Sequence, residues 1–440
     1  GYGFIAAVLP VWLLLAPRDY LSTFLKIGTI VGLAIGILIM RPTLTMPALT
    51  KFIDGTGPVW SGSLFPFLFI TIACGAVSGF HALIASGTTP KMLANEGQAC
   101  FIGYGGMLME SFVAIMALVA ACIIDPGVYF AMNSPMAVLA PAGTTDVVAS
   151  AAQVVSGWGF SITPDTLHQI ASEVGEQSII SRAGGAPTLA VGMAYILHGS
   201  LGGLMDVSFW YHFAILFEAL FILTAVDAGT RAARFMLQDL LGVISPGLKK
   251  TSSLPANLLA TALCVLAWGY FLHQGVVDPL GGINTLWPLF GIANQMLAGM
   301  ALMLCAVVLF KMKRQRYAWV ALLPTSWLLI CTLTAGWQKS FSPDTKVGFL
   351  AIANKFQAMI DSGNIPPQYT ESQLAQLVFN NRLDAGLTIF FMIVVVVLAL
   401  FSIKTALAAL KEDKPTAKET PYEPMPENLD AIETQAKGAH

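Results

Sequence analysis

Residues 386–403 of the 440-residue chain read GLTIFFMIVVVVLALFSI, and none of them carries a charge. A helix needs about 20 apolar residues to cross the roughly 30 Å hydrocarbon core of a bilayer, where every backbone polar group requires an internal partner. Working outward from this run, we predict nine spans, at 1–16, 20–40, 64–86, 100–124, 206–230, 254–273, 283–310, 317–337 and 386–410. The predicted fold class is therefore all-α, a polytopic transmembrane helical bundle.

The composition excludes several other classes of protein. Hydrophobic residues make up 56% of the chain, charged residues only 11%, and the net charge is −2. This composition excludes a soluble fold. A net charge this small gives no positive electrostatic field that would attract nucleic acid. The six cysteines form no CxxC pair, so we predict neither a metal site nor a disulfide framework. Because the chain begins inside an apolar segment without Met, we expect upstream residues to be missing.

Clusters of Lys and Arg predict the orientation, because positive residues are retained on the cytoplasmic side. Three clusters are assigned to the cytoplasm: Lys311 to Arg316, Arg231 and Arg234 with Lys249 and Lys250, and Lys404 to Lys418. This places the C-terminus inside and the loops 41–63, 125–205, 274–282 and 338–385 outside. We predict a transmembrane domain at 1–410 and a disordered cytoplasmic tail at 411–440.

The outer loop 125–205 is long and is predicted to form short surface helices, with a lid as one interpretation. Its apolar parts, 128–156 and 187–205, are interrupted by Pro or Gly or are too short to span, and helical hairpins and re-entrant segments both fit them. The parity of the predicted spans requires that 187–205 does not cross the membrane alone.

Two other features are predicted to serve helix packing. Gly28, Gly32 and Gly36 recur every four residues and would let another helix approach closely. Asn294 and Gln295 lie in an apolar span, where the default interpretation of a polar side chain is an interhelical hydrogen bond.

The span 64–86 is interrupted near mid-membrane by small and polar residues. A helix broken there would expose N–H groups that suit a substrate carboxylate and carbonyls that suit a cation. The alternative is an intact, closely packed helix whose Ser78 hydroxyl bonds to its own turn. For the broken helix, the candidate substrate-binding residues are Thr71, Gly75, Ser78 and Gly79.

Three ionisable side chains inside spans, His81, Glu110 and Glu218, are candidates for proton coupling. A charge at the bilayer centre costs roughly 3 kcal/mol or more unless it faces a partner or water. Either carboxyl could relay a proton or, when protonated, join two helices. His81 could carry a proton near neutral pH or serve as an interhelical donor.

Asp227 and Arg231 lie one helical turn apart at the predicted cytoplasmic end of the span 206–230. This spacing predicts an i,i+4 ion pair. A structural role and a gate are both compatible with it.

Several long motifs resemble the carbon starvation protein A family. They are LLAPRDYLSTFLK at 14–26, FPFLFITIACGAVSGFHA at 65–82, SGTTPK at 86–91 and DAGTR at 227–231. The resemblance covers essentially the whole chain, although family members extend further at the N-terminus. It implies secondary transport of peptides, or of pyruvate as in some relatives, with protons, across the bacterial inner membrane during carbon starvation.

That family in turn resembles the amino-acid/polyamine/organocation transporters, whose cores contain two inverted five-helix repeats. The likeness implies that 64–86 is the second repeat's broken helix, with 100–124 next, 125–205 as the outer lid and 206–230 as the long helix after it.

The expected function is therefore proton-coupled import of a small-molecule substrate by a protein embedded in the lipid bilayer. The alternatives are a nutrient sensor without transport, a channel, and an intramembrane peptidase using Ser78 and His81, which would form a poor dyad. No HExxH, GxSxG or P-loop motif occurs, so no enzyme activity is predicted. No cofactor is predicted, and the oligomeric state is left open.

Overall fold

The structure is a computed structural model that describes residues 1–418 except 60, 94, 142, 252, 279–281 and 367–368. The side chains of 91 and 282–286 are also outside the description. Most of the predicted tail, residues 419–440, therefore lies outside the described residues.

The described residues form helices and no strand, which confirms the all-α class. The helices are α1 (Tyr2–Val8), α2 (Leu15–Met40), α3 (Leu64–Thr71), α4 (Ala73–Ala76), α5 (Gly79–Gly87), α6 (Gln98–Cys122), α7 (Pro126–Asn133), α8 (Met136–Leu139), α9 (Val147–Gly157), α10 (Pro164–Val174), α11 (Gly185–Ser200), α12 (Val207–Ile244), α13 (Pro246–Lys249), α14 (Leu254–Val277), α15 (Gly282–Lys311), α16 (Trp319–Phe341), α17 (Phe349–Asp361) and α18 (Glu371–Lys411). Short 3₁₀ helices occupy Lys51–Asp54, Thr89–Lys91 and Gln315–Tyr317.

Seven helices in the described part of the chain are long and apolar enough to cross a membrane: α2, α6, α12, α14, α15, α16 and α18. Each matches one of the predicted spans. The other two predicted spans, 1–16 and 64–86, are divided into shorter helices. Large apolar side chains such as Phe101, Leu118 and Phe401 are exposed on the outer surface. Lipid is the solvent that suits them, so the chain is a multi-pass membrane protein.

Two predicted helix boundaries are wrong. Helix α12 continues to Ile244, so Arg231 and Arg234 lie inside a helix and are buried, and do not belong to a basic cytoplasmic linker. Helix α18 begins at Glu371, within the predicted loop 338–385. A capping box formed by Thr370 and Gln373 defines this start, because each bonds the other's backbone N–H group.

The segment 126–200 contributes most of the largest hydrophobic core, so its helices are not confined to the surface as predicted. Ala152 and Val155 of α9, with Val191 and Met193 of α11, are buried in this core. Helix α11 also approaches α6 closely, because a Cβ atom on Gly192 would lie 2.2 Å from the carbonyl oxygen of Ala120. The segment is therefore a packed layer against α2, α6 and α12.

The glycine stripe of α2 is used for packing at only one of its three positions. A Cβ atom on Gly36 would lie 3.1 Å from atoms of Ile196 and Ser200. Gly28 and Gly32 have nothing within 4 Å of the corresponding position. The predicted close approach of a neighbouring helix is thus confined to the end of α2 that meets α11.

Candidate functional site

The break in the third predicted span lies between α4 and α5. Val77 and Ser78 have non-helical backbone angles (φ −151°, ψ 87° and φ −83°, ψ 117°) that interrupt the helical hydrogen bonding. The break falls within the stretch where the sequence predicted an interruption. Helix α5 therefore begins anew inside the bundle, at Gly79.

The first turn of α5 is capped by two protein side chains. Ser78 Oγ accepts a hydrogen bond from the His81 N–H group at 3.3 Å. Asn294 Oδ1, on α15, accepts one from the Phe80 N–H group at 2.8 Å. Two of the donors that a new helix N-terminus exposes are therefore occupied by protein. Asn294 makes the interhelical bond that its position predicted, and Gln295 does the same by accepting from Thr332 at 2.9 Å.

Removing the acceptor on α15 is expected to destabilise this junction. In Asn294→Ala, the Phe80 N–H group would lose its only partner among the described residues, and an unsatisfied buried donor costs about 1–3 kcal/mol. We expect a lower midpoint of thermal unfolding in detergent for this variant. Ser111→Ala is the control, because in the described contacts the Ser111 hydroxyl donates only to the Met107 carbonyl of its own helix. Equal midpoints for the two variants would contradict the capping role.

Gly79 lies where α5 and α15 nearly touch. A Cβ atom there would lie 2.1 Å from the Asn294 carbonyl oxygen and 2.7 Å from the Ala298 nitrogen. The residue is buried and does not line either of the two cavities described below. The structure thus places this predicted substrate-binding residue at a helix contact.

The larger cavity, of about 1070 Å³, lies between the break, α6 and α12. Its lining contains three of the predicted site residues around the break and one from α6: Gly75, Ser78, His81 and Glu110. His81 Nδ1 lies 3.4 Å from Glu110 Oε2, with 54% and 42% of the two side chains exposed, so both remain accessible from the cavity. Protonation of the imidazole would make this contact an ion pair, in a cavity whose lining is mostly apolar.

A second cavity, of about 840 Å³, holds the other two predicted residues, Thr71 and Glu218. In the described part of the chain, Glu218 forms no hydrogen bond or ion pair with another side chain, and it is only partly buried. Six of the seven candidate binding and coupling residues therefore line one of two cavities, and Gly79 lines neither.

The second cavity also contains polar residues that the sequence analysis missed. Asn133 Nδ2 donates to Thr188 Oγ1 at 3.0 Å, and Asn133 Oδ1 accepts from the Gly184 N–H group at 3.1 Å. These contacts join α7 to the start of α11 across 51 residues or more. The only signal in the sequence was a single Asn within an apolar segment, which is not specific.

Asp227 and Arg231 form the predicted i,i+4 ion pair, at 3.8 Å. Arg18 lies 3.7 Å from the other oxygen of the same carboxylate, which is fully buried. Arg231 also donates to the carbonyl of Leu9 at 2.7 Å and to that of Ala6. The guanidinium therefore holds the end of α1 against α12.

The charge cluster borders the larger cavity without lining it. Thr224, which lines that cavity, accepts hydrogen bonds from Lys26 at 3.1 Å and from Arg18 at 3.4 Å. Neither Asp227 nor Arg231 contributes to the lining. Ala228, which lies between the two residues in the sequence, does line the cavity, so the ion pair lies at the same level of α12 but outside the lining.

Residues 1–335 match the family described as carbon starvation protein CstA. The chain belongs to this family. The chain is similar to the peptide transporter CstA of Escherichia coli (strain K12), with 93% identity over the whole chain and 63% of the length of that relative. It is also similar to the pyruvate/proton symporter BtsT of the same organism, with 59% identity over 97% of the chain and 62% of the length of that relative. The peptide transporter CstA of Helicobacter pylori (strain ATCC 700392 / 26695) is 52% identical over 96% of the chain and 61% of the relative.

The chain thus spans about three-fifths of the length of these members of the CstA family. No solved structure matches the chain.

Proposed function

We propose that the chain forms part of a secondary active transporter that imports peptides or pyruvate across the bacterial inner membrane, driven by protons. The observation that carries the proposal is the helix break at Val77 and Ser78, which opens on a cavity of about 1070 Å³ inside a membrane bundle. Broken helices at mid-membrane are the usual construction of substrate sites in secondary transporters. The two Escherichia coli relatives, a peptide transporter and a pyruvate/proton symporter, support the same class.

In this proposal the substrate carboxylate binds next to the break. Gly75 and Ser78 line the cavity, and the glycine leaves its backbone accessible because no atom lies within 4 Å of its missing Cβ. Gly79 contributes indirectly, by setting the distance between α5 and α15. Thr71 would contact substrate from the second cavity, on the other side of the broken segment.

Proton coupling is assigned to His81 and Glu110, with Glu218 as a further acceptor in the second cavity. The pair spans α5 and α6, so its protonation can change the attraction between those helices. Proton uptake by His81 would favour contact with Glu110, whereas proton loss would release it. H⁺ is the proposed coupling ion, and no other cofactor is part of the proposal.

In this proposal the C-terminus is cytoplasmic, an orientation that the basic residues at the end of α18 and between α15 and α16 support. Two inverted five-helix repeats, as in amino-acid/polyamine/organocation transporters, remain the proposed architecture for the complete protein. The broken segment of α3 to α5 would then belong to the second repeat, and 126–200 would cover it from outside.

The test is uptake of labelled pyruvate and a labelled dipeptide by proteoliposomes holding a full-length CstA-family protein, with and without an inward proton gradient. Saturable, gradient-stimulated accumulation of an intact substrate is expected. Fragmented peptide would indicate hydrolysis, ion conductance without saturation would indicate a channel, and no uptake by folded protein would favour a sensor.

We expect His81→Ala and Glu110→Gln, at the equivalent positions, to lower gradient-driven accumulation by roughly 5- to 150-fold, the usual range for coupling between two ligands. Exchange of labelled for unlabelled substrate at equal pH should persist, because it requires no net proton movement. Ser111→Ala, which alters the same cavity without removing a titratable group, is the control. Unchanged gradient stimulation in both test variants would remove the coupling assignment.

A further inference from the structure

A second polar cluster lies outside the lining of both cavities, where the end of α14 meets α18. Asp278 follows the last residue of α14, and Asn380 and Asp384 lie one turn apart on α18. All three are buried, with 6%, 5% and 4% of their surface exposed. Asn380 Nδ2 donates to Asp278 Oδ2 at 3.0 Å, which fixes the amide against the first carboxylate.

Two oxygens in this cluster have no hydrogen-bond partner among the described residues: Asn380 Oδ1 and Asp384 Oδ2. Buried polar atoms are normally bonded, and leaving one unsatisfied costs about 1–3 kcal/mol, more when it is charged. Asp384 contributes a second buried carboxyl group to the cluster, one turn of α18 from Asn380. The arrangement therefore leaves two buried oxygen acceptors, one on Asn380 and one on Asp384, without a donor in the described part of the chain.

A bound cation would satisfy both of these oxygen atoms. The chemistry of the donor atoms indicates which kind of cation would bind. Carboxylate and amide oxygens are the ligands of hard cations, whereas zinc and the later transition metals favour His and Cys. The described residues contain no group of three or more His, Cys, Asp and Glu that could hold a metal. The cluster instead combines two carboxylates with an amide oxygen, a combination that the sequence-based prediction of no metal site did not consider.

We propose that Asp278, Asn380 and Asp384 form a binding site for a hard, oxygen-liganded cation that joins the end of α14 to α18. Ca²⁺ is the expected occupant, because its flexible coordination accepts an irregular set of oxygens and its charge offsets that of the buried Asp384 carboxylate. Mg²⁺ demands near-octahedral geometry and retains its waters, so it suits a buried site less well. The proposal is independent of the transport function, since none of the three residues lines a cavity described above.

The alternative explanation is a neutral, protonated Asp384, which needs no metal. Asp384→Asn distinguishes the two explanations because the amide copies the shape of the protonated acid but lacks its charge. Asp361→Asn is the matched control, since Asp361 is exposed on α17 and accepts only from Gln357 at 3.0 Å in the described contacts.

The experiment is equilibrium dialysis of the purified 440-residue chain in detergent against ⁴⁵Ca²⁺ and, separately, ²²Na⁺. Thermal unfolding is followed in parallel in CaCl₂, NaCl and choline chloride at equal ionic strength. We expect saturable Ca²⁺ binding and a higher unfolding midpoint in CaCl₂ for the unsubstituted chain and for Asp361→Asn. Asp384→Asn and Asn380→Ala should weaken binding at least about tenfold, since even outer-shell changes cost that much at metal sites.

If the unsubstituted chain binds Na⁺ and not Ca²⁺, loss of that Na⁺ binding in Asp384→Asn would also support the cation site. One of the two carboxyl groups would then be protonated. Absence of saturable binding of either ion to the unsubstituted chain would overturn the proposal, and this measurement does not depend on whether any variant folds. Equal ion binding by Asp384→Asn and Asp361→Asn would overturn it as well.

Discussion

Gly79→Ala is expected to destabilise the folded chain by about 3 kcal/mol or more, at or beyond the upper end of the usual cost of overpacking. The added Cβ atom would lie 2.1 Å from the Asn294 carbonyl oxygen, 2.4 Å from Leu297 Cβ and 2.7 Å from the Ala298 nitrogen. Two of these atoms are main chain of α15, so no side-chain rotation relieves the contact. Helix α5 or α15 would have to move, and the bond from Phe80 to Asn294 would be strained with it.

Helix propensity acts in the opposite direction and is too small to compensate. Alanine is favoured over glycine in a helix interior by only about 1 kcal/mol. Gly75→Ala is the matched control in the same broken segment, because nothing lies within 4 Å of its Cβ position. We expect that variant to unfold at or slightly above the midpoint of the unsubstituted chain in detergent. If Gly79→Ala matched Gly75→Ala, the close contact between α5 and α15 would be refuted.

Arg231→Met is expected to cost about 3–5 kcal/mol, the usual consequence of removing one partner of a buried ion pair. The fully buried Asp227 would retain only Arg18, at 3.7 Å. The carbonyls of Ala6 and Leu9 would also lose their donor at the end of α1. Both losses leave polar groups in a region that water does not reach.

The double variant Asp227→Asn with Arg231→Met tests whether the unpaired Asp227 carboxylate causes this loss of stability. It removes the uncompensated carboxylate, so it should be more stable than Arg231→Met alone in thermal unfolding. Arg182→Met is the control, since Arg182 is 51% exposed in its pair with Glu176 and such surface pairs contribute at most about 1 kcal/mol.

The same variants separate the two roles that the sequence left open for this pair. A structural anchor predicts loss of stability, whereas a gate predicts altered transport at unchanged stability. The placement of both residues outside the cavity lining, and the bonds from Arg231 to α1, favour the anchor. An unfolding midpoint that did not change in Arg231→Met would favour the gate.

Local sequence signals determined the class of protein and the position of the helix break. Apolar length predicted the seven long helices because each must satisfy its backbone alone in lipid. The small residues around Ser78 predicted the break because they stabilise a helix poorly, and the hydroxyl at that position caps the next helix. The i,i+4 spacing of Asp227 and Arg231 predicted their pairing, because residues four positions apart are neighbours on one face of a helix.

Only the tertiary structure decided which of those residues work together. Asn294 caps a helix start 214 positions earlier in the chain, and Glu110 meets His81 from a separate helix. The sequence analysis assigned Arg231 to a cytoplasmic linker because a charge is costly in lipid. The residue is instead buried, and its guanidinium donates to carbonyl groups of α1, a contact that hydropathy does not predict. Hydropathy and helix propensity act over a few turns, whereas cavities and buried polar contacts form between helices that packing alone brings together.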